Sequence, residues 1–251
     1  MEPAPDTFDP AAFSRLAAAE PGHFWFEERN KLIQWALDRY APQARDFCEV
    51  GCGTGFVLAG LESHRPDLNL TGVEYYPAAL PHAAARLART RLMEGDIGDL
   101  PFREEFDVVG CFDVLEHISD DRLALANLAA ALRPGGRLII TVPQHPRLWS
   151  VADDLGHHRR RYTRRELLVK VADAGLACRR VTSFVTLLLP AMWLNRRAAR
   201  RPDDAIAELT LSPASNAVGR LLLGIERRIV AAGASLPWGG SLLLVATKPN
   251  S

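Results

Sequence analysis

Apolar stretches of strand length alternate with helical segments and short polar turns along this chain, and that alternation narrows the choice of fold more than anything else. The clearest stretch is "FDVVGCFDVL" (Phe106 to Leu115), an almost unbroken apolar run of the kind found in strands buried on both faces. Before it stand "DFCEVG" (Asp46 to Gly51), "LNLTGVEYY" (Leu68 to Tyr76) and "LMEGD" (Leu92 to Asp96). After it come "RLIITVP" (Arg137 to Pro143), "ACRRVTSFV" and "GSLLLVATKP" (Gly240 to Pro249). Helices are expected at Phe24 to Tyr40, Gly55 to His64, Pro77 to Arg89, Asp120 to Leu132 and Thr163 to Gly175. The last has both end signals, a Thr163–Glu166 capping box and Gly175 as its stop. Such alternation predicts an α/β fold, a doubly wound parallel sheet covered on both faces. Ligands of such sheets sit at the carboxyl ends of the strands, beside the first one.

Composition mainly excludes. Thirty basic and thirty acidic residues give a formal net charge of zero in 251 residues, so no overall field draws nucleic acid or anionic membrane. An apolar fraction of 48% with 24% charged residues is that of a globular enzyme. Cys48, Cys52, Cys111 and Cys178 form no C-x-x-C pair and read as reduced core thiols. The first residues lack a basic n-region and an apolar h-region, which argues against a secretory signal and for a cytoplasmic protein. The longest apolar run, "FVTLLLPAMWL" (Phe184 to Leu194), is too short to span a bilayer.

The loop "CEVGCGTGF" (Cys48 to Phe56) places Gly51, Gly53 and Gly55 at alternate positions straight after the first strand. A phosphate P-loop would continue with Lys-Ser or Lys-Thr, and Phe56-Val57 stands there instead. The dinucleotide fingerprint would need glycine at position 56. Glu49, two residues ahead of the first glycine, would repel a pyrophosphate but pair with an ammonium group. Glu74 ends the second strand, where this fold sets a carboxylate against ribose hydroxyls. Asp96 ends the third, in reach of an exocyclic amine of adenine. Together they ask for an adenosine with a cationic amino-acid tail, and S-adenosylmethionine fits that description.

With "EVGCGTGFVL", "GVEYYPAAL", "GDIGDLPF", "FDVVGCFDVLEHISD" and "LRPGGRLIITVP" in order, the chain resembles class I S-adenosylmethionine-dependent methyltransferases. The likeness is to the broad group that includes ubiquinone-biosynthesis O-methyltransferases, and it covers about residues 45 to 143. It implies a Rossmann-like sheet of seven strands with the last one antiparallel. It also implies cofactor contacts at Glu49, Gly51, Gly53, Glu74, Tyr75, Asp96, Ile97, Phe112 and Leu115, with Cys52 and Gly55 completing the loop.

Histidine suits removal of a proton from an acceptor hydroxyl near neutral pH. His117 in "VLEHISD" and His157 and His158 in "LGHHRRRYT" are the candidates. In ubiquinone-type relatives the matching Glu-His can lie beside a divalent metal, so Glu116 and His117 are a possible metal pair. The other reading has them only bracing the loop, and no metal is expected. Arg159 and Tyr162 are candidate substrate contacts. "HFWFEERN" (His23 to Asn30) is expected to lid the cofactor, Trp25 covering the methyl group and Arg29 reaching the methionine carboxylate, although core packing explains its aromatics equally.

Four segments follow: a helical lid (1–43), a cofactor-binding core (44–185), a helical insertion (186–239) and a final strand (240–251). In the insertion Val218, Leu221, Leu222, Ile225 and Ile229 make a helical stripe, suited to capping the site or pairing subunits before lying on a membrane surface. The expected function is methyl transfer to a small molecule, first to a hydroxyl oxygen, by a monomer or homodimer. Amino or carbon acceptors, RNA methylation, nicotinamide-dependent oxidoreduction and a non-catalytic scaffold are the alternatives. No Asn-Pro-Pro-Tyr type motif follows the fourth strand, which weighs against base methylation.

Overall fold

A computed structural model describes residues 10–198 and 211–250. Two helices, α1 (Pro10–Ala19) and α2 (Phe24–Tyr40), lead into β1 (Asp46–Val50), α3 (Phe56–His64), β2 (Asn69–Glu74), α4 (Leu80–Arg86) and β3 (Arg91–Glu94). Next come β4 (Phe106–Phe112), α5 (Asp121–Ala131), β5 (Leu132–Pro143), the short α6 (Val151–Leu155), α7 (Arg164–Asp173) and β6 (Ala177–Phe184). Helices α8 (Leu189–Ala198) and α9 (Pro213–Ala231) precede the closing strand β7 (Ser241–Thr247).

One sheet takes all seven strands in the order β3-β2-β1-β4-β5-β7-β6. Strands β1 to β5 pair in parallel, and β7 inserts antiparallel to both β5 and β6, as the resemblance implied. Side chains alternate between two apolar layers, following the two-residue period of a strand. From β4 and β5, Val109, Cys111, Leu138 and Ile140 enter the layer under α5 and α7. Val108, Phe112 and Ile139 enter the layer under α2, α3 and α9. The order turns back between β1 and β4, so the crevice at their carboxyl ends lies where the glycine loop is. Cys48, Cys52 and Cys111 are buried thiols, whereas Cys178 is exposed.

Three local departures have physical causes. Ahead of the helix expected from Phe24 the structure adds a second one, α1, anchored by buried Phe13. β4 stops at Phe112 rather than Leu115, because Asp113 takes a left-handed φ of 55°. The α9 stripe faces away from the body: Val218, Leu221, Ile225 and Ile229 are exposed, while Gly219, Leu223, Glu226 and Val230 are buried. The helix is rotated this way by its contacts with α2. A Cβ on Gly219 would lie 2.7 Å from the Phe24 ring, and Arg220 and Arg227 pair with Glu27 and Glu28 of α2.

Candidate active site

Backbone geometry shapes the loop after β1. Gly51, Gly53 and Gly55 all have positive φ (78°, 52° and 75°), a region side chains strain to enter. A Cβ on Gly51 would collide with Val114, and one on Gly55 would lie 3.0 Å from the Cα of Ala83. At Gly53 a Cβ would meet nothing within 4 Å, so this turn of backbone is open to a ligand. The amides of Gly51 and Cys52 both donate to the Val73 carbonyl, at 2.8 and 3.0 Å, tying the loop to β2.

Glu74 sits at the carboxyl end of β2, buried, and accepts from the Gly53 amide at 2.7 Å and the Tyr76 amide at 2.9 Å. It therefore braces the glycine loop from the position expected of a ribose ligand, and burial raises its pKa. Tyr75 beside it is exposed. Asp96 is exposed after β3 and accepts from the Gly98 amide at 2.7 Å. Asn127 of α5 donates to the carbonyls of Ile97 and Gly98, at 3.0 and 2.7 Å, so the turn holding Asp96 and buried Ile97 is fixed.

Glu49 is buried, and its Oε2 has no hydrogen-bond partner. Burial pushes its pKa well above the carboxylate range; Arg29 opposes that shift, and Glu74 and Glu20 add to it. A group of carboxylates buried at this density is a setting for a cation. Arg29 lies 4.5 Å over the Trp25 ring and ion-pairs with Asp113, which also accepts from the Thr141 hydroxyl at 3.1 Å. Its Nη1 is thus committed to Asp113, a residue the sequence reading passed over, while its Nε is buried without a partner. The turn after α1 closes onto the same loop. Buried Glu20 accepts from the Thr54 hydroxyl at 2.8 and 2.6 Å and ion-pairs with Arg86 of α4.

The second cluster lies past β4 and β5. Glu116, His117 and His158 bring ligand atoms within 4.8 Å of one another. His158 Nδ1 is 2.9 Å from Asp153 Oδ1, while its Nε2 is 4.0 Å from Glu116 Oε1. Asp153, at 1% exposure, also accepts from Arg161 Nε at 2.7 Å and from the Ser150 amide and hydroxyl at 2.8 and 3.1 Å. Burial, then the neighbouring His158, pushes the His117 pKa down to about 4, so its ring is neutral near pH 7. Burial raises the Glu116 pKa well above the usual range, and its Oε2 lacks a partner. These three side chains offer the nitrogen and oxygen donors a divalent cation would take, or a histidine base held by a buried carboxylate. Nearby, a cavity of about 790 Å³ is lined by His145, Leu148, Leu189, Pro190, Trp193 and Leu194 among others, most of them apolar.

Residues 48–140 match the family described as a methyltransferase domain. Over those residues the chain is similar to S-adenosylmethionine-dependent methyltransferases. A protein of Mycolicibacterium smegmatis, named as a probable S-adenosylmethionine-dependent methyltransferase, is 30% identical over 125 residues, covering 48% of this chain and 46% of its own. The chain thus spans about half the length of such relatives. The ubiquinone biosynthesis O-methyltransferase of Paracidovorax citrulli is 25% identical over 228 residues, covering 79% of this chain and 92% of its own. Haemonchus contortus phosphoethanolamine N-methyltransferase 2, solved in complex with S-adenosyl-L-methionine, superposes with a TM-score of 0.65 at 18% identity, over 98% of this chain and 58% of its own.

Within the matched core, the structure gathers Glu49, Gly51, Cys52, Gly53, Gly55 and Glu74 around one loop, with Trp25 and Arg29 paired nearby. Other expected residues are placed differently. Tyr162, read as a substrate contact, is fully buried, its hydroxyl 2.7 Å from Asp121 Oδ2 and 3.1 Å from the Leu115 carbonyl. It is a packing residue. Leu115 has no exposed surface to offer a cofactor, and Phe112 is buried in the opposite layer. Arg159 is exposed, but its amide and Nε hold the carbonyls of Glu116 and His117, at 2.8 and 3.0 Å. His157 is exposed at a φ of 54°, outside the buried cluster that takes in its neighbour His158. Asp153 was legible only as the end of a Ser-x-x-Asp cap, "SVAD", before α6.

Proposed function

We propose that this protein transfers the methyl group of S-adenosylmethionine to a small-molecule acceptor, with a hydroxyl oxygen as the acceptor atom. Supporting the cofactor assignment above all is Glu49, a buried carboxylate with an unpartnered oxygen at the base of a loop whose middle glycine is open. In this reading Glu49 faces the cationic amino-acid tail, Glu74 the ribose and Asp96 the adenine amine. The acceptor oxygen attacks the methyl carbon in line as the sulfur–carbon bond breaks, and the bonding pair leaves on sulfur. The acceptor proton goes to His158 Nε2, with Asp153 holding Nδ1–H and the ring's orientation. The oxygen acceptor draws support from the relative that aligns with 92% of its own length, an O-methyltransferase. The apolar cavity suits a largely apolar acceptor.

Calorimetry with S-adenosylhomocysteine and with NADH tests the cofactor. Binding of the first alone is expected, and binding of NADH alone would overturn the reading. Glu74→Ala should weaken S-adenosylhomocysteine by about 1–3 kcal/mol. His158→Ala should lower turnover with cofactor affinity intact. A second reading rests on the Glu116–His117–His158 grouping, in which a divalent cation activates the hydroxyl in place of a histidine base. Turnover that disappears on chelation and returns with added magnesium or zinc would favour it.

A further inference from the structure

Asp113 lies on the turn that ends β4, and its φ of 55° is in the left-handed region, which aspartate and asparagine enter more readily than other residues with side chains. Its amide donates to the Thr141 carbonyl at 2.9 Å, and its Oδ2 accepts from the Thr141 hydroxyl at 3.1 Å, so β5 fixes the carboxylate in place. That same oxygen accepts from Arg29 Nη1 of α2. The next residue, Val114, fills the space beside Gly51, where an added Cβ would come within 2.4 Å of Val114 Cγ2. The turn is therefore seated against the loop that follows Glu49.

Two buried groups of opposite sign meet here with bonding capacity left over. Glu49 is 2% exposed and its Oε2 has no partner; the side chain of Arg29 is 10% exposed and its Nε has none. Of the charges that act on Glu49, Arg29 is the positive one, whereas Glu74 and Glu20 are negative. A buried carboxylate and a buried guanidinium in each other's field gain by pairing. These two do not pair: Arg29 lies 4.5 Å over the Trp25 ring and donates to Asp113 instead. A pair between them would use up the anion that a ligand ammonium needs and the cation that a ligand carboxylate needs.

We propose that Asp113 is a positioning residue for the cofactor: by holding Arg29 Nη1 it stops the guanidinium from closing onto Glu49 and leaves both charges to the amino-acid tail of the ligand. The inference rests on the S-adenosylmethionine reading of the site and adds a residue that acts through Arg29.

Calorimetry with two ligands tests it. S-adenosylhomocysteine has the amino-acid tail, and 5′-methylthioadenosine is a thioether nucleoside without it. Asp113→Asn retains a residue suited to the left-handed turn and an oxygen for Thr141, but removes the charge that holds Arg29. It should weaken S-adenosylhomocysteine by about tenfold and change 5′-methylthioadenosine by less than about twofold. In a Glu49→Gln background, where Arg29 has no carboxylate to close onto, the same substitution should weaken S-adenosylhomocysteine by less than about twofold. Thr141→Val removes the other donor to that oxygen; it should show the same ligand selectivity at about threefold, and carries the test should Asp113→Asn fail to fold. Equal losses for the two ligands would make Asp113 a brace of the loop alone, and equal losses in the two backgrounds would mean that Arg29 does not close onto Glu49. Either result overturns the proposal, as does an Asp113→Asn protein with wild-type affinity for S-adenosylhomocysteine. Wild-type protein that binds neither nucleoside would remove the cofactor reading itself, before any variant is compared.

Discussion

Around β1 and β2 the ligand end is made of backbone: three left-handed glycines, amides tied to Val73, and a carboxylate that accepts from the loop it supports. Around β5 and α6 it is made of side chains, with Asp153, His158, Arg161 and Glu116 holding one another in a buried ionic network. A backbone cradle tolerates few sequences, since glycine alone enters those φ values cheaply. A side-chain network can be built from many residue pairs. On the proposed function, the first half suits one constant ligand and the second an acceptor that can vary.

The network should be the more fragile half. Asp153→Ala removes the carboxylate that accepts from His158, Arg161 and Ser150 together, and leaves the Arg161 guanidinium buried. Loss of one partner from a buried pair costs about 3–5 kcal/mol, so urea unfolding should register a destabilisation of that size. A change below about 1 kcal/mol would mean that water enters the cluster and that the contrast between the halves is overstated.

The cradle comes next. Gly55→Ala combines a φ of 75° with a Cβ 3.0 Å from the Cα of Ala83, and should cost about 1–3 kcal/mol. Gly53→Ala shares the strained φ but meets no atom within 4 Å, so it should cost about 1 kcal/mol in stability. Its larger effect should fall on S-adenosylhomocysteine affinity, because the added methyl occupies space kept for the ligand. Equal losses of affinity in both variants would remove Gly53 from the contact surface.

The same division explains what the sequence disclosed. Strand alternation and the glycine spacing predicted the sheet and the tight glycine loop after β1, because both depend on local rules, a two-residue period and positive φ. Asp153 escaped notice because its role depends on α6 folding back beside His158, five residues away, which no periodicity records. Tyr162 was misplaced for a related reason: a tyrosine among arginines looks solvated until Asp121 and the Leu115 carbonyl are seen to meet its hydroxyl. The α9 stripe had the right spacing for a buried face, yet ion pairs to α2 and the small Gly219 turned a different face inward.

A pH titration sharpens the electrostatic side of the cradle. Burial holds the Glu49 pKa well above its usual value, so without ligand the carboxyl stays protonated past the ordinary range. A cationic ligand favours the carboxylate and lowers that pKa, so binding expels a proton between the two values. Affinity for S-adenosylmethionine should then rise with pH through that window, by at most about tenfold per unit, and level off above it. Calorimetry in buffers of different ionisation enthalpy should detect the released proton. Glu49→Gln should bind more weakly and without that pH dependence; a variant with the wild-type profile would place the titrating group elsewhere.

The smallest expected effect separates the two faces of α9. Leu223 is buried against the layer under α2 and α3, and Leu223→Ala should cost about 2–5 kcal/mol in stability. Leu221 and Ile225 are 63% and 40% exposed, so Leu221→Ser with Ile225→Ser removes little buried area and should move stability by no more than about 0.5 kcal/mol. Urea titrations of the two proteins, at concentrations low enough to exclude self-association, make the comparison. If the serine pair costs as much as the alanine, the stripe contributes to the folded monomer. If it costs nothing, the apolar character of those positions has no explanation in the stability of the chain itself.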